Sequence, residues 1–176
     1  HLMKMCSSYA SMGHQVTLFV STKKDKDLAV LDVYSHYGVE NNFKIRRIPL
    51  PSNKIGSFIS TVLFAPVLIF LSFPNLVHSR NLTCAWSCAL FFRLPLIMEL
   101  HNVPDGNPKA LKMFRQLVQC KKNKGIVVIT KSLSDYIQHF ISNSTPIFIA
   151  PDGVDQTIIS TDFDSNQIRQ ELGISA

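Results

Sequence analysis

The chain has 176 residues, 46% of them hydrophobic and 17% charged, with 18 Lys and Arg against 12 Asp and Glu for a net charge of +6. That balance excludes a disordered chain, and the length suffices for one domain with a sizeable core. Four cysteines (6, 84, 88 and 120), none in a C-x-x-C pair, exclude a disulfide scaffold and offer no zinc or redox motif.

The chain starts at His1, which already stands in an apolar pattern. Leu2, Met5, Cys6, Tyr9 and Ala10 follow a helical stripe that Gly13 is placed to end. Gln15 to Val20 then reads as a buried strand, and similar β-branched or aromatic runs recur at Phe43–Ile48, Pro95–Leu100, Gly125–Thr130 and Pro146–Ala150. A weaker run lies at Leu76-Val77-His78. Strand starts near 16, 44, 76, 96, 126 and 147 leave room for a crossover helix between successive parallel strands. One such helix follows Asn107-Pro108, a cap and a first-turn proline, and presents Ala110, Met113, Phe114, Leu117 and Val118 on one face. Another is predicted to open at Ser132, with Asp135 in the capping-box position. Runs such as Ile126-Val127-Val128-Ile129 indicate a sheet covered on both faces. The predicted fold is therefore α/β, a doubly wound, Rossmann-like parallel sheet. Such domains ordinarily open with a strand that feeds the first helix through a tight turn. No such strand precedes Leu2, so the expectation is a first strand missing from the chain; a fold that begins with a helix is the alternative.

Ile55 to Phe73 is a run of 19 residues without a charge, long enough to raise the question of a membrane span. Pro66 and several small polar residues interrupt it. A span would also place strands 43–48 and 76–79 on opposite sides of a bilayer, although both belong to one alternating series. The preferred reading is a crossover helix, partly buried and partly surface-apolar. Such a helix could rest on a membrane face, helped by Lys54 and Arg46-Arg47.

In open parallel sheets, ligands bind beyond the carboxyl ends of the strands. The residues at those ends are Ser79, Arg80 and Asn81; His101, Asn102 and, past Pro104, Asp105-Gly106; Lys131 and Ser132; and Pro151, Asp152, Gly153 and Asp155. They converge as an imidazole, a guanidinium, an ammonium and carboxylates, suited to a polyhydroxylated or phosphorylated ligand. His101 is the leading catalytic candidate, because an imidazole both donates and accepts. Arg80 could clamp an anion bidentately. Glu99, on a mostly apolar strand, reads either as a buried partner for a neighbouring polar group, the preferred reading, or as a site residue. Cys84 and Cys88, four apart, read as small core residues, and no metal site is predicted. The runs Lys23-Lys24-Asp25-Lys26 and Lys121-Lys122-Asn123-Lys124 read as solvated loops, so no nucleic-acid partner is expected. Phosphate-loop, dinucleotide, zinc-protease and nucleophile-elbow motifs are all missing.

The order of motifs resembles a known family. Gly13-His14-Gln15-Val16-Thr17-Leu18 looks like the second-strand approach of GT-B glycosyltransferases. Val77-His78-Ser79-Arg80-Asn81, Pro95 to His101, and Gly125 to Leu133 resemble the fourth, fifth and sixth strands of glycosyltransferase family 4. Pro151-Asp152-Gly153-Val154-Asp155 resembles the turn that closes that family's N-terminal domain.

This resemblance implies a retaining transferase with two Rossmann-like lobes, the N-terminal one holding the acceptor and the C-terminal one the nucleotide sugar. Residues 1–155 would be the acceptor-side lobe, and 156–176 a polar linker with a short helix at 165–172, leading toward a C-terminal domain not present here. By itself such a fragment would be inactive. His101 would face the donor sugar, with Arg80 and Asn81 on the acceptor side. The expected partners are a nucleotide-sugar donor and a glycan or lipid acceptor, with no cofactor. The expected location is cytoplasmic, with a possible peripheral contact to the inner membrane face through 55–73. The alternatives are another GT-B enzyme, such as a sugar-nucleotide epimerase, and a non-catalytic α/β binding module.

Overall fold

A computed structural model of the chain describes residues 1–22, 32–49, 51, 53–141, 145–151 and 153. The first helix, α1 (Leu2–Ser11), ends in a turn where Gly13 takes φ 90°, a left-handed conformation that glycine adopts without steric cost. Then follow β1 (Thr17–Thr22), the short α2 (Val33–His36) and β2 (Lys44–Pro49). The apolar run becomes α3 (Lys54–Ile59), a π-helical turn at Ser60–Phe64, and α4 (Ala65–Phe70). The remainder alternates: β3 (Val77–Ser79), α5 (Leu82–Leu90), β4 (Leu96–Leu100), α6 (Pro108–Val118), β5 (Asn123–Val128), α7 (Lys131–Gln138) and β6 (Ile147–Ile149).

All strand pairings among the described residues are parallel, as the α/β reading predicts. They form two ladders, β1-β2 and β3-β4-β5-β6. Side chains join the two parts: Ile48 lies in the larger core, and Phe19 is packed against it. That core is built from β3–β5 and α4–α7, with Phe114, Leu96, Met98, Leu117 and Ile126 almost wholly excluded from solvent. Burying each such side chain contributes about 2–3 kcal/mol. A smaller cluster of Met3, Cys6, Leu18 and Phe43 secures α1 on the first ladder.

Several local readings need correction. The last helix starts at Lys131, one residue earlier than expected, because Thr130 is its cap: Leu133 N–H donates to Thr130 Oγ1 over 3.2 Å. Asp135 therefore makes no capping box and pairs with Lys131 one turn away. Asn123 and Lys124 begin β5 and are not loop residues, and Asn123 is buried. Cys84 and Cys88 are buried, as core residues should be. The Lys23–Lys26 run, Asp152, and the expected linker and helix beyond 155 lie outside the described residues.

Pro66 explains the π turn. A proline inside a helix has no N–H to offer the carbonyl four residues back, here Val62. The ladder widens by one residue over Ser60–Phe64. The Val62 carbonyl is met from outside the helix, by the hydroxyl of fully buried Ser87 on α5. Among the described residues no helix is long and apolar enough to cross a membrane.

Candidate functional site

Register places the site. β3 and β4 pair with His78 beside Ile97 and Ser79 beside Met98, so the two strands end side by side. Arg80 leaves the end of one and His101 the end of the other. Glu99, the penultimate residue of β4, is 3% exposed.

Its carboxylate is the floor of the cluster. Glu99 Oε1 lies 2.7 Å from His101 Nε2 and 3.5 Å from Arg80 Nε, while Oε2 lies 3.1 Å from His78 Nε2. Exposure rises outward, from 4% for the Glu99 side chain through 17% for His78 to 26% for His101 and 36% for Arg80. A buried carboxylate is tolerated where cationic or N–H groups surround it, and here they do.

Proton placement follows from the partners. His101 Nε2 is also 2.6 Å from Arg80 Nη2. One ring nitrogen cannot donate to a carboxylate and accept from a guanidinium together. The guanidinium carries only donors and reaches Nδ1 as well, whereas the Glu99 carboxylate, which only accepts, meets Nε2 alone, so in the neutral ring Nε2 carries the hydrogen. Nδ1, 3.3 Å from Arg80 Nη2, is then the lone-pair atom. Glu99 thus fixes the tautomer of His101, as a carboxylate behind a functional imidazole does.

Behind this pair lies a second imidazole. Burial is the main cause that pushes the His78 pKa below the ordinary histidine value; Glu99 opposes the shift and Arg80 adds to it. Burial, then the Glu99 charge, pushes the Tyr9 phenol up, so it keeps its proton. The Tyr9 hydroxyl lies 3.3 Å from His78 Nδ1; because the Glu99 carboxylate can only accept, the His78 proton belongs on Nε2, facing Glu99. That last contact is close but poorly aligned: neither His78 Nε2 nor Glu99 Oε2 has a well-formed hydrogen bond among the described residues.

The structure therefore brings together two of the residues expected from sequence, Arg80 and His101, and gives Glu99 the partner role read for it. Asn81 stands next to them but caps α5, its Oδ1 accepting from Cys84 N–H over 2.9 Å. Asn102 is exposed at the β4 end, and Lys131 is engaged with Asp135. Gly153 is exposed, with open space where a Cβ would stand. Sequence reading missed Tyr9 and His78 as members of the cluster. No group of side chains among the described residues has the composition to hold a metal ion. The arrangement can present an oriented imidazole and a guanidinium to a hydroxyl-rich or anionic ligand.

Comparison with known proteins gives three findings. A family model described as Glycosyltransferase Family 4 matches residues 1–157. No curated protein matches the sequence. Among solved structures, sucrose-phosphate synthase from Thermosynechococcus elongatus is similar, with a TM-score of 0.62 at 13% identity, over 98% of this chain and 95% of that one. At that identity the likeness speaks to the fold.

Proposed function

The chain belongs to glycosyltransferase family 4, and from that premise we propose that it is the acceptor-side lobe of a retaining enzyme that moves a sugar from a nucleotide donor to a glycan or lipid-linked acceptor. In that reaction the bond between the sugar's anomeric carbon and the diphosphate breaks, and a bond from that carbon to an acceptor hydroxyl forms. The hydroxyl proton leaves with the diphosphate. A second lobe would bind the nucleotide, and no cofactor takes part.

The observation that carries this reading is the Glu99–His101–Arg80 cluster at the paired ends of β3 and β4. His101, its tautomer held by Glu99, would meet the donor sugar. Arg80 would orient the acceptor or steady developing negative charge on the leaving diphosphate. Asn81 and Asn102, beside the cluster, would be further acceptor contacts, with Lys131 and Gly153 beyond the ends of β5 and β6.

The test is an acceptor-dependent assay on the full-length gene product, with a panel of nucleotide sugars and release of nucleoside diphosphate as the readout. The proposal predicts release that requires acceptor, and product with the donor's anomeric configuration. Conversion of a nucleotide sugar without acceptor would assign the site to an epimerase instead. Release by neither route, with every donor, would point to a binding module.

A further inference from the structure

The α3–α4 crossover is amphipathic in the wrong sense for a helix in water. Its large apolar side chains face out: Ile55, Phe58, Ile59 and Leu63 are each more than half exposed and recur at the spacing of one helical face. Toward the core, α4 buries Ala65, Pro66 and Ile69, while α3 and the π turn bury only Ser60, its hydroxyl donating to the Pro49 carbonyl over 3.2 Å. A surface helix ordinarily does the opposite.

The outward face continues into its neighbours. Phe58, Ile59, Val62, Leu63, Phe91 and Phe92 line a groove of about 300 Å³. From Phe92 a chain of rings runs to Phe70, 5.6 Å away, and on to Phe73, 6.5 Å further and 83% exposed. Contiguous apolar surface of this kind marks an interaction site.

Charge identifies the occupant. Between Asn41 and Met98 the sequence holds six Lys or Arg and no Asp or Glu, so this stretch alone equals the net charge of the whole chain. Lys54 stands one turn before Phe58, and Arg93 directly follows Phe91 and Phe92. Two copies of such a face would repel each other. A protein interface carries about one hydrogen bond per 100–200 Å², yet the side chains lining the groove are all hydrocarbon. A lipid surface asks for no hydrogen bonds from an inserted face and, when anionic, attracts the flanking cations.

We propose that the outward face of α3 and α4, together with Phe91 and Phe73, docks this protein onto an anionic lipid surface, with Lys54 and Arg93 at the headgroups. The proposal stands apart from sugar transfer, and its test reads none.

The test is co-sedimentation of the full chain with vesicles of phosphatidylglycerol and phosphatidylcholine in equal parts, against phosphatidylcholine alone. Saturable, salt-sensitive binding to the anionic vesicles is expected. Phe58→Ser and Phe91→Ser should each weaken it roughly tenfold, since each removes an aromatic side chain from the lipid. Arg93 provides a control for folding. Its backbone has φ 52°, a left-handed conformation that favours glycine. Arg93→Gly should therefore raise thermal stability while weakening vesicle binding about fivefold, the loss of one cation near an anionic surface. The proposal is overturned by failure to bind anionic vesicles, by Phe58→Ser and Phe91→Ser variants that bind like wild type, or by self-association in sedimentation velocity without vesicle binding, which would make a second copy the occupant.

Discussion

A carboxylate buried at the end of a strand is stable only if its neighbours supply N–H groups or positive charge, and Glu99 has both. Its consequence for His101 is a fixed tautomer, so Glu99 is a positioning residue. Glu99→Gln keeps the volume and removes the charge. We expect kcat to fall roughly 10–100-fold, the usual cost of losing a partner behind a functional histidine, with KM little changed and an altered pH profile. An unaltered pH profile would reduce Glu99 to a packing role. His78 provides a separate prediction on stability. Its folded pKa lies below the ordinary value of about 6.5 because it is buried. The unfolded chain therefore takes up a proton that folded His78 refuses, and stability present above about pH 6.5 is lost as pH falls from there toward the lowered native value. His78→Gln should make that acid loss shallower in denaturant melts across the range, and parallel curves for the two proteins would contradict it. His101 and Arg80 were legible because strand ends are where parallel sheets place ligands. Tyr9 and His78 were not, because they lie 69 residues apart and only packing of α1 onto β3 joins them.

Pro66 counted against a membrane span through the apolar run, and the run is a crossover helix that carries the proline at the start of α4. The chain keeps helical direction by widening to a π turn, and α5 supplies the hydroxyl that satisfies the Val62 carbonyl. Nothing in the spacing of residues 55–73 could have named Ser87 as that partner, since the pairing crosses between elements. Ser87→Ala leaves a buried carbonyl without its donor, which costs about 1–3 kcal/mol. Chemical denaturation should show a lowered midpoint with an unchanged slope, and a wild-type midpoint would remove Ser87 from this account. The helix at Lys131 shows a similar limit of local reading: Thr130 and Ser132 are both competent caps by type, and the backbone leaving β5 selects Thr130.

Across the whole molecule, the alternation of strands and helices was readable because each strand is a short β-branched or apolar run and each helix has its own stripe. The division into two ladders was not, because no local pattern in the strands or in the α3–α4 crossover encodes which strands share hydrogen bonds. The same crossover turns its large apolar side chains outward, which composition could register only as an uncharged run. The two proposals are tested separately: vesicle binding reads the exposed face of α3 and α4, and sugar transfer reads the ends of β3 and β4. The central claim is that the Glu99–His101–Arg80 cluster serves sugar transfer. Its most direct test is acceptor-dependent transfer by the full-length His101→Ala protein, with circular dichroism to verify the fold. The account predicts at least about a 100-fold loss of kcat in a protein that melts like wild type; wild-type turnover in that variant would contradict it.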